Sequence, residues 1–268
     1  MNTKSIDFVL LIPCYNNTSG LSRSIASVSY PPSKFEILIV DDGSEVPITK
    51  NDLQLVDNAV TINILRLESN QGIVQALNAG LTELKSRNDF KYIARLDAGD
   101  TCDTSRFHKQ VFFLDNHKEI ALLASWARFE NLNSSKGYDY ITKTTHQEIV
   151  KEMHRKCSFI HPTVMFRKGV LDTIGLYPLA YPHAEDYAFF WKILKSNKCA
   201  VIPEKMVKIM LANENVSSKN YKKQLRSRKE IVKKFEDNSL YRLIGVAILN
   251  LKIWAPVWVV QSLKLLLK

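Results

Sequence analysis

Three hydrophobic runs in this chain end in residues that could do chemistry. Val40-Asp41-Asp42-Gly43-Ser44 sets two carboxylates and a glycine after one run, and Arg95-Leu96-Asp97-Ala98-Gly99-Asp100 repeats the arrangement. Ile12-Pro13-Cys14-Tyr15-Asn16 offers an aromatic ring and an amide at the equivalent place. Paired carboxylates supply hard oxygen ligands for a divalent cation, and a single one within hydrogen-bond reach of a hydroxyl serves as a general base. Each cluster alone also reads as a turn, because Asp-Gly and Gly-Asp are common turn formers. Their recurrence on successive strand ends is the informative feature.

The elements that must position these clusters alternate. Phe8–Cys14, Glu36–Asp41, Ile62–Leu67 and Tyr92–Asp97 read as short buried strands. Between them Ser19–Val28 and Ile73–Lys85 read as helices, with Val74, Leu77, Leu81 and Leu84 at helical spacing. This alternation predicts an α/β fold with a mainly parallel sheet covered by helices on both faces. Ligands of such sheets bind beyond the carboxyl ends of the strands, where the three clusters fall. Further along we expect a helix near Ser105–Asn116, a strand near Ala121–Phe129, a polar loop at Asn131–Gly137 and a strand at Thr163–Arg167. An amphipathic helix at Glu185–Leu194, an extended Val201–Leu211 and a basic helix at Ser218–Phe235 follow.

The motifs resemble those of family 2 glycosyltransferases, over about residues 7–217. The resemblance implies the Rossmann-like GT-A fold for that segment, with residues 218–268 as a C-terminal appendage. It also implies an inverting transfer of sugar from a nucleotide-sugar donor, a UDP-hexose or UDP-N-acetylhexosamine, to a glycan or lipid-linked acceptor of surface polysaccharide biosynthesis. IPCYNN is similar to the family's opening strand, where Tyr15 flanks the base and Pro13 shapes the turn. VDDGS is similar to its nucleoside motif, with Asp41 accepting from the uracil imide and Asp42 lining the pocket. Asn70, Gly72 and Asn78 belong to the segment that closes over the nucleotide. Arg95 and Asp97 fall in the stretch that carries the family's metal-binding acids, which implies Mn²⁺ or Mg²⁺ on Asp97 and Asp100. His161 and Glu185 resemble acceptor-side residues, and Asp186 the catalytic base. Asp186 also fits a helix N-terminal acid, and His161 fits a satisfied buried histidine equally well. Trp191, with Phe190, reads as core.

The sequence departs from the family pattern twice. Gly99 stands where the family usually has its second metal-binding acid, and Leu211–Ser217 lacks the histidine the family often has shortly before this serine. Asp100 or Glu214 could supply the missing oxygen, and Lys219 or the basic helix some of the phosphate neutralisation.

Charge is unevenly spread. Residues 205–268 hold fourteen Lys and Arg against four acids, so the net charge of +10 resides there entirely. The tail from Leu240 is rich in Leu, Ile, Val and Trp, and Pro256 is expected to split it into two helices. Basic residues and tryptophans beside an apolar face suit a helix lying on an anionic membrane surface. The same face would serve for docking on the rest of the chain or for pairing two copies. No run reaches the roughly 18 apolar residues a span needs, and no signal peptide frames Phe8–Cys14. Four scattered cysteines fit a reducing compartment. The expected location is cytoplasmic, peripheral on the inner face of the cell membrane. A catalytically silent nucleotide-sugar-binding scaffold is the rival reading. Nucleic-acid binding is disfavoured, since the basic helix comes with no aromatic platform or recognisable module.

Overall fold

A computed structural model describes residues 5–53, 59–131, 134–211 and 220–255. Its first strand, β1 (Ile6–Cys14), explains the layering. Val9 and Leu11 point into one apolar cluster, Leu10 and Ile12 into another, and all four are fully buried. A strand apolar on both sides must be covered on both sides. It pairs in parallel with β2 (Phe35–Asp41), which pairs in parallel with β3 (Thr61–Arg66). On its other side lies β4 (Phe90–Arg95), also parallel. Helices α1 (Thr18–Ala26) and α3 (Arg106–Asn116) cover one face, and α2 (Ile73–Lys85) the other.

Beyond β4 the sheet turns mixed. The remaining strands are β5 (Thr101–Cys102), β6 (Ile120–Asn131), β7 (Ser134–Tyr140), β8 (Met165–Arg167) and β9 (Lys198–Leu211). The spatial order is β3-β2-β1-β4-β8-β6-β9-β5, with β7 on β6. β8 runs antiparallel to β4 and β6, whereas β6 and β9 run parallel. Two expectations are corrected here. The polar loop at Asn131–Gly137 gives way to the hairpin strand β7, and Phe129 stacks on Tyr138 across it with ring centres 4.9 Å apart. The strand expected from Thr163 starts at Met165, because His161–Thr163 forms a 3₁₀ turn around Pro162.

The remaining helices are α4 (His146–Met153), α5 (Val170–Thr173), α6 (Glu185–Ser196), α7 (Tyr221–Phe235) and α8 (Ser239–Trp254). Sequence periodicity did not reveal α4 or α5. The basic helix α7 and the tail helix α8 contribute Leu225, Ile231, Val232 and Leu249 to the same core as α2 and α6. α8 presses Gly245 to the backbone of His154, where a Cβ would meet the carbonyl oxygen at 2.7 Å. The opposite stripe of α8, Leu240, Leu243, Ala247, Leu251 and Trp254, is exposed. α8 ends at Trp254; the second tail helix expected after Pro256 lies outside the described residues.

Candidate active site

Parallel pairing puts the ends of β1, β2 and β4 on one edge, with Cys14 beside Asp41 in register. The chain turns out of β1 at Asn16, in the left-handed region at φ 49°. Its N–H donates to Ser44 Oγ (3.0 Å), and its Oδ1 accepts from Glu45 N–H (2.9 Å). The first two loops are therefore stitched together, leaving the Tyr15 ring 46% exposed at the rim.

Asp41 and Asp42 sit below that rim. Asp41 has no exposed surface; it accepts from the N–H groups of Ser44 (2.9 Å) and Ile48 (3.3 Å) and from Arg66. These donors hold its carboxyl below the usual carboxylate range, against the opposing cost of burial. Asp42 accepts from Gln71 N–H (2.8 Å) and Gly72 N–H (2.9 Å), so its carboxylate shapes the 70–72 loop. Gly43, at φ +69°, lets that loop pass: a Cβ there would lie 2.4 Å from the Ser69 carbonyl carbon. Asn70 is exposed and Gly72 partly so. Asn78 is buried, and its amide is consumed by the N–H and C=O of Tyr177 (2.9 and 3.0 Å).

The acid turn after β4 is built on a buried cation. Arg95 has no exposed surface and donates to Leu11 O (2.6 Å) and Asp97 Oδ1 (2.6 Å). Asp97 itself is open, with its side chain 40% exposed. Asp100 is buried and accepts from Met210 N–H (3.0 Å). Burial and the Asp97 charge push its carboxyl well above the usual carboxylate range. Gly99 has φ +113°, and its N–H donates to Ser24 Oγ (2.8 Å). An L-residue is strained there, which gives the departure at this position a backbone reason.

Asp41, Asp42, Asn78 and Arg95 are buried and hydrogen-bonded inside the protein, whereas Tyr15 and Asn70 are exposed and Gly72 and Asp97 partly so. Pro13 is buried at the end of β1.

On the opposite wall His161 Nε2 pairs with Tyr177 Oη at 2.8 Å. Burial and the Arg95 charge lower the His161 pKa to about 4, so the ring is neutral near pH 7. Asp186 and Asp97 both act electrostatically on His161 and on Tyr177, after burial and the Arg95 charge. Asp186 is partly exposed, and its Oδ1 accepts from Tyr187 N–H (2.6 Å). Glu185 is 9% exposed, and its Oε2 is buried without a hydrogen-bond partner. Burial, then the Asp186 charge, pushes its carboxyl up to about 7. Trp191 packs in the core, as its sequence position implied. Tyr177, Ser24 and Arg66 were missed from sequence because nothing local marks a tyrosine, serine or arginine that acts across the fold.

The glycosyl transferase family 2 model matches residues 9–175, which run from within β1 through β8 and include the acid turn. The chain belongs to that family. A galactosyltransferase of Escherichia coli, named for UDP-Gal and α-D-GlcNAc-diphosphoundecaprenol, is 30% identical over 74% of this chain and 71% of its own length. An uncharacterised glycosyltransferase of Haemophilus influenzae is 30% identical over 68% of this chain, which spans 66% of that relative. A crystal structure of Staphylococcus aureus TarS with UDP-GlcNAc superposes with a TM-score of 0.66 at 19% identity, over 92% of this chain and 72% of the other. These matches fix a glycosyltransferase with the GT-A fold.

Members of this fold often use a divalent cation, so the residues must be tested for fit. Among the described residues no group of three His, Cys, Asp or Glu converges on one point. Asp97, with only one oxygen tied to Arg95, and Asp100 form a carboxylate pair whose repulsion a cation would relieve. Mg²⁺ and its analogues are commonly held by one or two carboxylates, with substrate phosphates completing the shell. The pair fits that pattern. Glu214, Ser217 and Lys219 lie outside the described residues.

Proposed function

We propose that this chain transfers a hexose or N-acetylhexosamine from a UDP-sugar to a hydroxyl of a glycan or lipid-linked acceptor, with inversion, in the building of a surface polysaccharide. The observation that supports it most directly is the match of the family 2 model to residues 9–175, the stretch that carries the loops after β1, β2 and β4. Asp97 would serve the donor side and Asp186 the acceptor side, as a single displacement requires. The diphospho-lipid acceptor named for the Escherichia coli relative and the UDP-GlcNAc in the TarS structure agree with this choice of substrates.

In this reading Tyr15 flanks the base, while Asp41 and Asp42 hold the loops that enclose the nucleoside. Asp97 and Asp100 would hold Mn²⁺ or Mg²⁺, which would neutralise charge on the departing diphosphate. The acceptor hydroxyl attacks the anomeric carbon as the bond to the diphosphate breaks, and its proton passes to Asp186. Adjacent acids in unlike surroundings divide the roles. Glu185 sits buried with a raised pKa, and Asp186 stands at the opening with a carboxylate oxygen to spare.

The outward stripe of α8, beside the basic α7, would lie on an anionic membrane surface. No helix among the described residues is long and apolar enough to cross a membrane, so contact would be peripheral. The test is UDP release from a panel of UDP-sugars, with Mn²⁺ and with EDTA, in the presence of lipid-linked acceptors. Turnover of one donor is expected. Tight UDP-sugar binding without turnover of any would favour the silent scaffold instead.

A further inference from the structure

Helix α7 is bolted to the loop that leads into α6. Gln224 Nε2 donates to His183 O (2.9 Å), and Ser227 Oγ donates to Pro182 O (2.8 Å). On the same helix face, Arg228 lays its guanidinium over the Tyr187 ring, with Cζ 4.6 Å from the ring centre. Tyr187 is the residue next to Asp186. The other groups whose charge acts on this guanidinium are Cys157, Tyr140 and Asp186.

Arg228 is satisfied differently from the other interior arginines. Arg95 has Asp97, and Arg106 donates to Gln110 Oε1 (3.1 Å) and to Arg95 O (2.8 Å). The Nε–H of Arg228 is buried with no acceptor, as is that of Arg95, but Arg228 has no ion pair among the described residues to set against it. Among the described residues no carboxylate lies within the 4.0 Å ion-pair distance of its guanidinium. A desolvated cation without a counter-ion is unfavourable, and stacking on Tyr187 offsets only part of that cost. The residue as a whole keeps some exposure, while its guanidinium lies deep beside Tyr187. A planar guanidinium with parallel donors matches a phosphate bidentately, which a lysine does not.

We propose that Arg228 binds a phosphate of the acceptor, so that the preferred acceptors carry a phosphate or diphosphate close to the hydroxyl that Asp186 deprotonates. This rests on the transferase reading above and adds the substrate class. It also gives the basic helix a specific duty: α7 turns Arg228 inward onto Tyr187, while Lys222, Lys223, Lys233 and Lys234 stay exposed.

The test uses the full chain saturated with UDP, so that the donor diphosphate position is filled, and titrates hexyl diphosphate as the probe. Wild type, Arg228→Gln, Arg228→Lys and Lys223→Gln are compared by calorimetry, with UDP affinity measured separately for each. Arg228→Gln is expected to weaken hexyl diphosphate tenfold or more and to leave UDP affinity within twofold. Arg228→Lys should fall between, and Lys223→Gln should match wild type. Loss of UDP affinity in Arg228→Gln would reassign the cation to the donor phosphates and overturn the proposal. Unchanged hexyl diphosphate affinity, or equal loss in Lys223→Gln, would overturn it as well. Should Arg228→Gln fail to fold, Arg228→Lys keeps the charge and the stack, and an affinity equal to wild type would then refute bidentate binding. Failure of the wild type to bind UDP at all would strike the transferase reading instead, so the two failures are distinguishable.

Discussion

Asp186 and Glu185 are chain neighbours with opposite surroundings, and each makes its own prediction. In the proposed mechanism Asp186→Asn removes the proton acceptor and should lower kcat by roughly 10²–10⁴-fold, the usual contribution of a general base. UDP affinity should stay within twofold, because the proposal assigns Asp186 to the acceptor; full turnover in the variant would remove Asp186 from the mechanism. Glu185 concerns stability. Its carboxyl moves from 4.5 to about 7 on folding, so between those pH values the native state holds a proton that the unfolded chain has lost. Stability therefore falls as pH rises through that window, by at most about 3 kcal/mol. Glu185→Gln should raise Tm at pH 8 and change it little at pH 5. A thermal scan showing the same shift at both pH values would contradict the assignment. Neither effect was legible in the Ala184–Tyr187 string, where the two acids look interchangeable; only burial separates them.

The elements that carry the donor side are loops whose shape depends on backbone approach. Gly43→Ala would drive a methyl into the backbone at Ser69 from a left-handed conformation. It should cost about 1–3 kcal/mol and displace the 70–72 segment that Asp42 holds. UDP affinity measured by calorimetry should drop at least tenfold, and an unchanged value would separate that loop from nucleotide binding. The strands feeding these loops were readable because runs such as Phe8–Cys14 and Glu36–Asp41 are apolar on both faces. β7 was not, since Ser134–Tyr140 is polar and only Tyr138 and Tyr140 mark its alternation. The donor loop was half legible. Asp41 and Asp42 stand out, but the partners that bury them, Arg66 and the amides of Gln71 and Gly72, come from the far end of β3 and the loop after it. The corresponding limit on the acceptor side is Arg228, which sequence assigns to an undifferentiated basic helix.

For the whole molecule, the charge asymmetry becomes a division of faces. α7 and α8 are stitched into the core through Leu225, Ile231, Val232 and Leu249, so deleting α8 would uncover apolar surface and confuse any membrane assay. Surface substitutions avoid this. The full chain with Leu243→Glu, Leu251→Glu and Trp254→Glu should lose flotation with anionic vesicles that the wild type shows, without loss of Tm. Equal flotation of the two would refute membrane contact by α8. The acid turn carries a different consequence, one that concerns the order of assembly. Asp100 is held by the N–H of Met210, and β5 directly after it pairs with Val207 and Lys208 of β9. Contacts this distant in sequence close late, because the loop entropy must be spent before they form. A ribosome releasing this chain therefore exposes the nucleoside loops long before the acid turn can be locked. The acid turn cannot be locked until Met210 has left the ribosome.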